Sequence, residues 1–433
     1  MARETIAAMA AKAREACLQL GAATIEQRNN ALLRIADAID RQKETIWRAN
    51  DEDVAQAIAE NLSAPMVSRL RFGEEKTRRV LDGLRALTAL PDPLGKVQYA
   101  KELTEGLRLY RCSCPIGVIG IIFESRPDAL VQISSLCLKS GNAVLLKGGR
   151  EAERTNAALY EAILEGTRDA GLPETWCGLL HSREDVAEML KQDECIDLII
   201  PRGSNAFVRY IMQNSAIPVL GHAEGLCHVY VDRDAEVAEA VRLVVDSKTQ
   251  NLSVCNAAET LLVHREIAAA FLPEVAKALR QRNVELRGDE RTRGFIDCKP
   301  AVEEDWSTEY LDAILSVKVV DSLDGAIAHI NRYGSRHTDS ILSSSASAVE
   351  TFMRLVDSAD VFANCSTRFS DGFLFGFGAE VGIATGKIHA RGPMGLEGLC
   401  TYKYRLYGSG QTLADLNAGR YELTHRDIPP MLP

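Results

Sequence analysis

Pro115-Ile-Gly-Val-Ile-Gly-Ile-Ile-Phe123 is the stretch on which the fold turns. It is apolar on both faces, too short for a core helix, and bounded by polar residues, so it predicts a strand buried on two sides. Four more segments of the same kind follow: Asn142-Ala-Val-Leu-Leu-Lys147, Cys177-Gly-Leu-Leu180, Ile196-Asp-Leu-Ile-Ile200 and Cys227-His-Val-Tyr-Val231. Amphipathic helical segments at 154–170 and 183–192 lie between them. Strands that alternate with helices and carry no polar face indicate a parallel sheet covered on both sides. After about residue 232 the alternation restarts, with strands expected at 259–263, 314–320, 338–342 and 360–364 and helices around 268–280, 324–332 and 346–356. The fold class is therefore α/β, with two parallel doubly wound domains. A cleft between two such domains is a usual place for a ligand.

Working outward, the first ninety residues are helical. Thr24 and Gln27 form a capping box ahead of a periodic run through Leu32, Ile35 and Ile39, and Pro91 and Pro93 close the region. Lys96 to Arg111 is polar and alternating, with a Thr104-Glu-Gly106 turn, and predicts an exposed hairpin whose edges need covering. Leu399 to Tyr407 is expected to add one more strand to it. The expected division is 1–231 with the hairpin at 94–114, then 232–397, then a C-terminal strand and tail at 398–433.

Bulk properties exclude several classes. A chain of 433 residues with 46% hydrophobic content is too long for one core. A net charge of -10, a pI near 5.5 and the absence of any dense Lys/Arg block argue against nucleic acid. An anionic substrate must then be met by local cations. No apolar run approaches the roughly 18 residues that span a bilayer. Ile6, Met9, Ala10, Ala13, Cys17 and Leu20 recur at helical spacing among charges, so the N-terminus predicts an amphipathic helix and not a secretion signal. The 11 cysteines are scattered, without a CxxC pair, which leads us to expect a reducing cytoplasmic setting and no metal site.

Three places carry candidate chemistry. In Gln250-Asn-Leu-Ser-Val-Cys-Asn-Ala-Ala-Glu259, Cys255 stands where a polar loop runs into a buried strand. A thiolate held there can attack a carbonyl, although free cysteine is also among the most commonly buried residues. Lys147-Gly-Gly149 and Pro201-Arg-Gly-Ser204 follow first-domain strands, where open α/β sheets bind ligands. Gly203-Ser204 at a helix start offers free N–H groups to a phosphate, yet no GxGxxG is present, and such a turn also serves simply to connect strand to helix. Arg368 and Arg391 lie in glycine-rich stretches near the end, and a guanidinium fork matches carboxylate or phosphate.

In this order the pieces resemble the aldehyde dehydrogenase superfamily, and within it the branch that reduces L-glutamyl 5-phosphate in proline biosynthesis. The resemblance runs from the N-terminal helices to about Tyr407. It is carried above all by Val320-Asp-Ser-Leu-Asp-Gly-Ala-Ile-Ala-His-Ile-Asn-Arg-Tyr-Gly-Ser-Arg-His-Thr-Asp-Ser-Ile341, with Phe123-Glu-Ser-Arg-Pro-Asp128, Ile200-Pro-Arg-Gly-Ser204, Gly221-His-Ala-Glu-Gly225, Ser366-Thr-Arg-Phe-Ser-Asp-Gly372 and His389-Ala-Arg-Gly-Pro393.

The resemblance implies roles. Cys255 matches the nucleophile, Lys147 the lysine at the cofactor's adenosine ribose or its 2′-phosphate, Gly203 and Ser204 the start of the pyrophosphate helix, and Glu309 the glutamate on the nicotinamide ribose. It implies NADPH/NADP+, no metal, and a homo-oligomer built through the hairpin and the C-terminal strand. Glutamate kinase becomes a candidate partner. Departures are informative too. The superfamily's hydrolytic glutamate falls at about Gly221, so that base is absent; the oxyanion asparagine is replaced by Ser125; a pyrophosphate-helix glycine is replaced near Val208. Losing the base suits a reductase, which must keep its acyl-enzyme from water. Ser125, Arg126, His337, Arg368 and Arg391 are the expected substrate contacts. His337 suits either substrate orientation or a strand end. The competing readings are a CoA-acylating semialdehyde dehydrogenase and a cysteine acyltransferase that uses no nicotinamide.

Overall fold

The apolar stretch at 115–123 forms the strand Val118–Ile122, with all five residues buried, inside a four-stranded parallel sheet. The computed structural model describes residues 4–124, 126–221, 224–378 and 380–432. Strand order in this sheet is Cys177–Leu180, Ala143–Lys147, Val118–Ile122, Leu198–Pro201. The chain steps outward twice from Val118–Ile122 and then returns to that strand's other side. The reversal creates a switch point at the carboxyl ends of Val118–Ile122 and Leu198–Pro201, where loops diverge and leave a crevice. Arg202 N–H donates to Ile122 O there, at 2.7 Å.

Helices Ile6–Ala22, Pro127–Lys139 and Glu153–Asp169 pack on these strands. The expected capping box forms: Gln27 N–H donates to Thr24 Oγ1 and Thr24 N–H to Gln27 Oε1, opening the 35-residue helix Ile25–Ala59. That helix lies along Glu153–Asp169. Its Asp53 accepts from Thr155 N–H at 2.8 Å and from Thr155 Oγ1 at 2.7 Å, satisfying donors in the partner helix's first turn.

The polar stretch forms the antiparallel pair Val97–Thr104 and Leu107–Pro115, turning at Gly106 with φ 74°, a region glycine enters without strain. Cys400–Tyr407 pairs with Leu107–Pro115 along its whole length, from Cys400 opposite Pro115 to Tyr407 opposite Arg108. The C-terminal strand expected from sequence is therefore present. Its outer edge presents exposed Tyr402, Tyr404 and Leu406. The expectation missed only the two-residue strand Arg426–Asp427 on the opposite edge.

The second sheet has seven parallel strands in the order Lys299–Pro300, Glu285–Gly288, Ile314–Val320, Ala258–His264, Cys227–Val231, Thr338–Leu342, Asp360–Ala363. One face is packed by Val237–Thr249 and Arg265–Arg280 through Val244, Phe271, Leu272 and Val275. Tyr230, Ile327, Ile330 and Phe352 belong to a second core cluster with Leu323–Tyr333 and Ala346–Leu355. A short hairpin, Gly382–Ala384 with Gly392–Met394, completes this part.

Two corrections to the expected division follow. Cys227–Val231 had been grouped with the first set of strands, but it pairs with Ala258–His264 and Thr338–Leu342 in the second sheet. Apolar periodicity identifies a buried strand and is silent on which sheet receives it. The chain accordingly divides into one compact unit of residues up to Gly203 with 210–219 and everything from Gly395, and another of Ser204–Arg209 and Leu220–Met394. The C-terminal strand and tail thus belong with the first unit. Among the described residues no helix is long and apolar enough to cross a membrane.

Candidate active site

Cys255 lies in the turn between helix Val237–Thr249 and strand Ala258–His264, half-buried. Its Sγ stands 3.1 Å from Nε2 of His337. His337 is wholly buried and immediately precedes the strand Thr338–Leu342. Its other ring nitrogen, Nδ1, is 2.8 Å from Thr338 Oγ1 and 3.7 Å from Cys227 Sγ. A thiol and an imidazole within hydrogen-bonding reach form the nucleophile–base pair that nucleophilic catalysis needs.

The backbone around Cys255 is held from several sides. The Cys227 thiol donates to Cys255 O at 3.2 Å, and burial pushes that thiol far above its ordinary value, so it remains a proton carrier. Asn256 Nδ2 donates to Ser370 O, and Thr367 Oγ1 donates to Asn256 O. Gly225 lies against the backbone of Cys255. A Cβ at that position would fall 2.2 Å from Cys255 O and 2.6 Å from Cys255 Cα, so only glycine fits.

Arg368 Nε donates to Gln250 Oε1 at 2.8 Å, at the start of the cysteine loop. Burial lowers the guanidinium's pKa, and the Cys255 charge acts against that shift. It is the expected arginine that the structure brings to Cys255. Arg391 donates to Asp357 O and Oδ1, and Arg126 to Asp128 Oδ2 in the first unit. Both are engaged with carboxylates, Arg126 at the surface and Arg391 half-buried. Ser125 lies outside the described residues.

Glu309 is anchored at both oxygens, accepting from Gly225 N–H and from Asn205 Nδ2, each at 2.9 Å. A buried pair that sequence reading missed stands behind it. Lys248 Nζ is 2.6 Å from Glu259 Oε2, both fully inside the protein, and Glu259 Oε1 accepts from Leu311 N–H. Burial pushes the Glu259 carboxyl up to about 7, against the pull of Lys248, and burial lowers the lysine. The pair therefore fixes Leu311, two residues beyond Glu309. Glu259 opens the buried strand expected at 259–263, and a carboxylate at that position was itself the signal that a cation must be buried opposite it.

In the first unit Lys147 ends its strand, and Nζ donates to Gly148 O. Burial lowers the ammonium, opposed by Glu151, Glu153 and Asp185. Lys147, Gly148, Gly149, Arg150 and His181 line a small pocket at the sheet's carboxyl end. Gly203 follows Leu198–Pro201 at the switch point, and Ser204 precedes the helix Asn205–Asn214, in which Val208 is buried. Gly221 brings no carboxylate to its loop. Glu224, nearest to it in sequence among the acids, is held by Arg209 at 2.5 Å. Among the described residues no group of three or more His, Cys, Asp or Glu is arranged to hold a metal.

The model of the aldehyde dehydrogenase family matches residues 1–294. The chain is 59% identical over 421 residues to a gamma-glutamyl phosphate reductase of Pelotomaculum thermopropionicum, covering 97% of each protein. A crystal structure of gamma-glutamyl phosphate reductase from Thermotoga maritima superposes with a TM-score of 0.93 at 40% identity, covering 94% of this chain and 100% of that one. An engineered glycolyl-CoA reductase with bound NADP+ shares the fold, with a TM-score of 0.63 at 19% identity over 93% of this chain and 97% of that one.

Proposed function

Since the chain belongs to the aldehyde dehydrogenase family, we propose that it reduces L-glutamyl 5-phosphate to L-glutamate 5-semialdehyde and phosphate, the second step from glutamate to proline. The observation that carries this reading is the 3.1 Å approach of Cys255 Sγ to the buried His337 Nε2. The thiol proton passes to His337, and the thiolate attacks the acyl carbon. The C–O bond to phosphate breaks, phosphate leaves with its electron pair, and a thioester remains on Cys255. Arg368 offers a cation where negative charge accumulates on the leaving group. A nicotinamide cofactor, when bound, supplies the hydride that takes this acyl group to the aldehyde level. Breaking the carbon–sulfur bond then frees the aldehyde and returns the thiolate to its place beside His337.

Cofactor-binding residues suit such a group. Lys147 is a half-buried cation in a pocket at the carboxyl end of the first sheet, the end where open α/β sheets take dinucleotides. Lys147 with Arg150 favours the extra phosphate of NADPH, Gly203 and Ser204 would meet the pyrophosphate, and Glu309 the nicotinamide ribose. Water finds little help in attacking the thioester: Gly221 brings no base and Glu224 is held by Arg209. The high identity to reductases of γ-glutamyl phosphate favours phosphate over CoA as the acyl partner.

The exposed edge of Cys400–Tyr407 supports pairing with a second copy, because an uncovered edge strand bearing tyrosines is costly to leave in water. Acyl phosphates hydrolyse readily, which favours hand-over from a glutamate kinase. Eleven cysteines with no disulfide among the described residues suit a reducing compartment such as the cytoplasm. Cys255→Ala is expected to abolish phosphate-dependent oxidation of the semialdehyde, a loss of about 10⁴-fold or more, while NADPH still quenches protein fluorescence on binding. Retained turnover would sink the covalent route.

A further inference from the structure

A cavity of about 630 Å³ opens in the first unit, at the end of the sheet away from Lys147 and Gly203. Gly117 and Asp197 line it and immediately precede the strands Val118–Ile122 and Leu198–Pro201. A full strand length therefore separates it from the carboxyl ends where Lys147 and Gly203 stand. Pockets that take small molecules measure roughly 300–1,000 Å³, so the space suits a metabolite. Helix Ile6–Ala22 forms one wall through Arg14, Cys17 and Leu18, and the C-terminal strand Cys400–Tyr407 forms another through Lys403 and Arg405.

The charges on these walls do not balance. Asp92 is spent on Arg28, whose Nη2 donates to its two oxygens at 3.0 and 2.8 Å, and on Leu94 N–H. Asp197 is spent on Arg14, whose Nη1 donates at 2.7 and 2.6 Å, and on Val118 N–H. Asp197 reaches that N–H only because position 117 has no side chain, since a Cβ on Gly117 would overlap its Oδ2. Lys403 and Arg405 remain, and among the described residues neither forms an ion pair. A chain of net charge -10 has carboxylates to spare for its cations, yet none is placed here. Arg28, in the same lining, also keeps a buried Nε without a partner, a donor left for whatever fills the space.

We propose that this cavity binds a small dianion with an apolar body, a phosphate monoester or a dicarboxylate, at a site separate from substrate and cofactor. Lys403 and Arg405 alternate with Tyr402, Tyr404 and Leu406, so they leave the strand on one side, roughly 6.5 Å apart. A guanidinium fork and an ammonium at that spacing take two negative charges, or one doubly charged group held between them. Leu18, Leu94 and Ile116 supply apolar surface for the rest of the molecule. A bound ligand ties the C-terminal strand to helix Ile6–Ala22, and so stabilises the first unit by mass action. Cys114, half-buried in the same lining and opposite Thr401 in the neighbouring strand, is a built-in reporter of occupancy.

The test is isothermal titration of the full chain, saturated with NADP+ so that cofactor pockets are filled, with 1-naphthyl phosphate and, separately, with phthalate. Binding is expected once per chain, with slower modification of Cys114 by N-ethylmaleimide, followed by mass spectrometry of its peptide. Binding of the first probe alone names a monoester, of the second alone a dicarboxylate, and either supports the proposal. In the double variant Lys403→Gln, Arg405→Gln, affinity is expected to fall about tenfold or more. In that variant kcat for semialdehyde oxidation stays at the parent value, which also shows that the variant is folded. Failure of both probes to bind overturns the proposal and leaves the two cations only the task of keeping a strand edge soluble. Binding that survives the double variant, or that leaves Cys114 unprotected, lies elsewhere and overturns it equally. Uncharged 1-naphthol binding as tightly as its phosphate would show that the cavity reads no charge, and the dianion would fall with it.

Discussion

The two parallel sheets carry their candidate sites at opposite ends. Lys147, Gly203 and the switch point lie at the carboxyl ends of the first sheet's strands. Cys255, His337, Cys227 and Asp360 lie at the amino ends of the second sheet's strands. Helices Pro127–Lys139, Glu153–Asp169 and Arg183–Met189 begin at the carboxyl end of the first sheet, so their positive dipole ends gather there, although Asp53 and the Ser182–Asp185 capping box already take up first-turn N–H groups of the latter two. Helices Val237–Thr249, Leu323–Tyr333 and Ala346–Leu355 finish on the amino side of the second, where carbonyl ends gather. Those ends disfavour a thiolate. If anions bind at both ends, helix dipoles can meet them at the first, whereas at the second the proposed site would rely on side chains, His337 and Arg368.

If side chains carry the second site, removing the charged pair beneath it should cost most. Lys248→Met leaves Glu259 buried without its cation. Breaking such a pair is expected to cost about 3–5 kcal/mol of stability. The pH dependence has a definite sign. Glu259 sits at about 7 in the folded protein, above its ordinary 4.5. Its contribution is then fully present below about 4.5 and is lost as pH rises through about 7. Lys248 restrains that rise, so the gap between variant and parent should widen from pH 6 to pH 8 in urea titrations. A gap that narrows with pH would show that Glu259 is not the group left exposed to the loss.

Next in size is Gly225→Ala, which tests whether the thiol must sit where it does. The new methyl meets Cys255 backbone atoms at 2.2–2.6 Å, just ahead of the buried strands Cys227–Val231 and Ala258–His264. A shift of the nucleophile by about 1 Å is expected to lower kcat roughly a hundredfold. Cofactor affinity, measured by fluorescence, should change much less. Equal losses in both would mean that Gly225 serves Glu309, to which it also donates, more than Cys255.

These sites differ in how legible they were. Cys255 and Lys147 stand in short motifs next to apolar strands, so local pattern and family likeness both point to them. His337 lies 82 residues from Cys255, and Thr338 meets Asp360 only through strand register, which no local spacing encodes. Glu285–Gly288 escaped notice because Glu285 and Arg287 give it no apolar run, although it lies inside the second sheet between two strands. Cys227–Val231 is legible as a strand but not as a member of the second sheet, because burial on both faces looks the same in either.

The smallest effect belongs to the first sheet, where the comparison makes the backbone dominant. Lys147→Ala removes one cation from a pocket that keeps Arg150 and its glycine turn. NADPH affinity is expected to fall about tenfold, in line with the loss of one charge-assisted contact, and kcat at saturating cofactor to stay within about twofold. NADH, which lacks the extra phosphate, should lose less affinity than NADPH. A matched loss for both would move Lys147 from the phosphate to the ribose they share. A collapse of kcat would be the more damaging result, since it would mean that a side chain in the first sheet shapes the chemistry of the second.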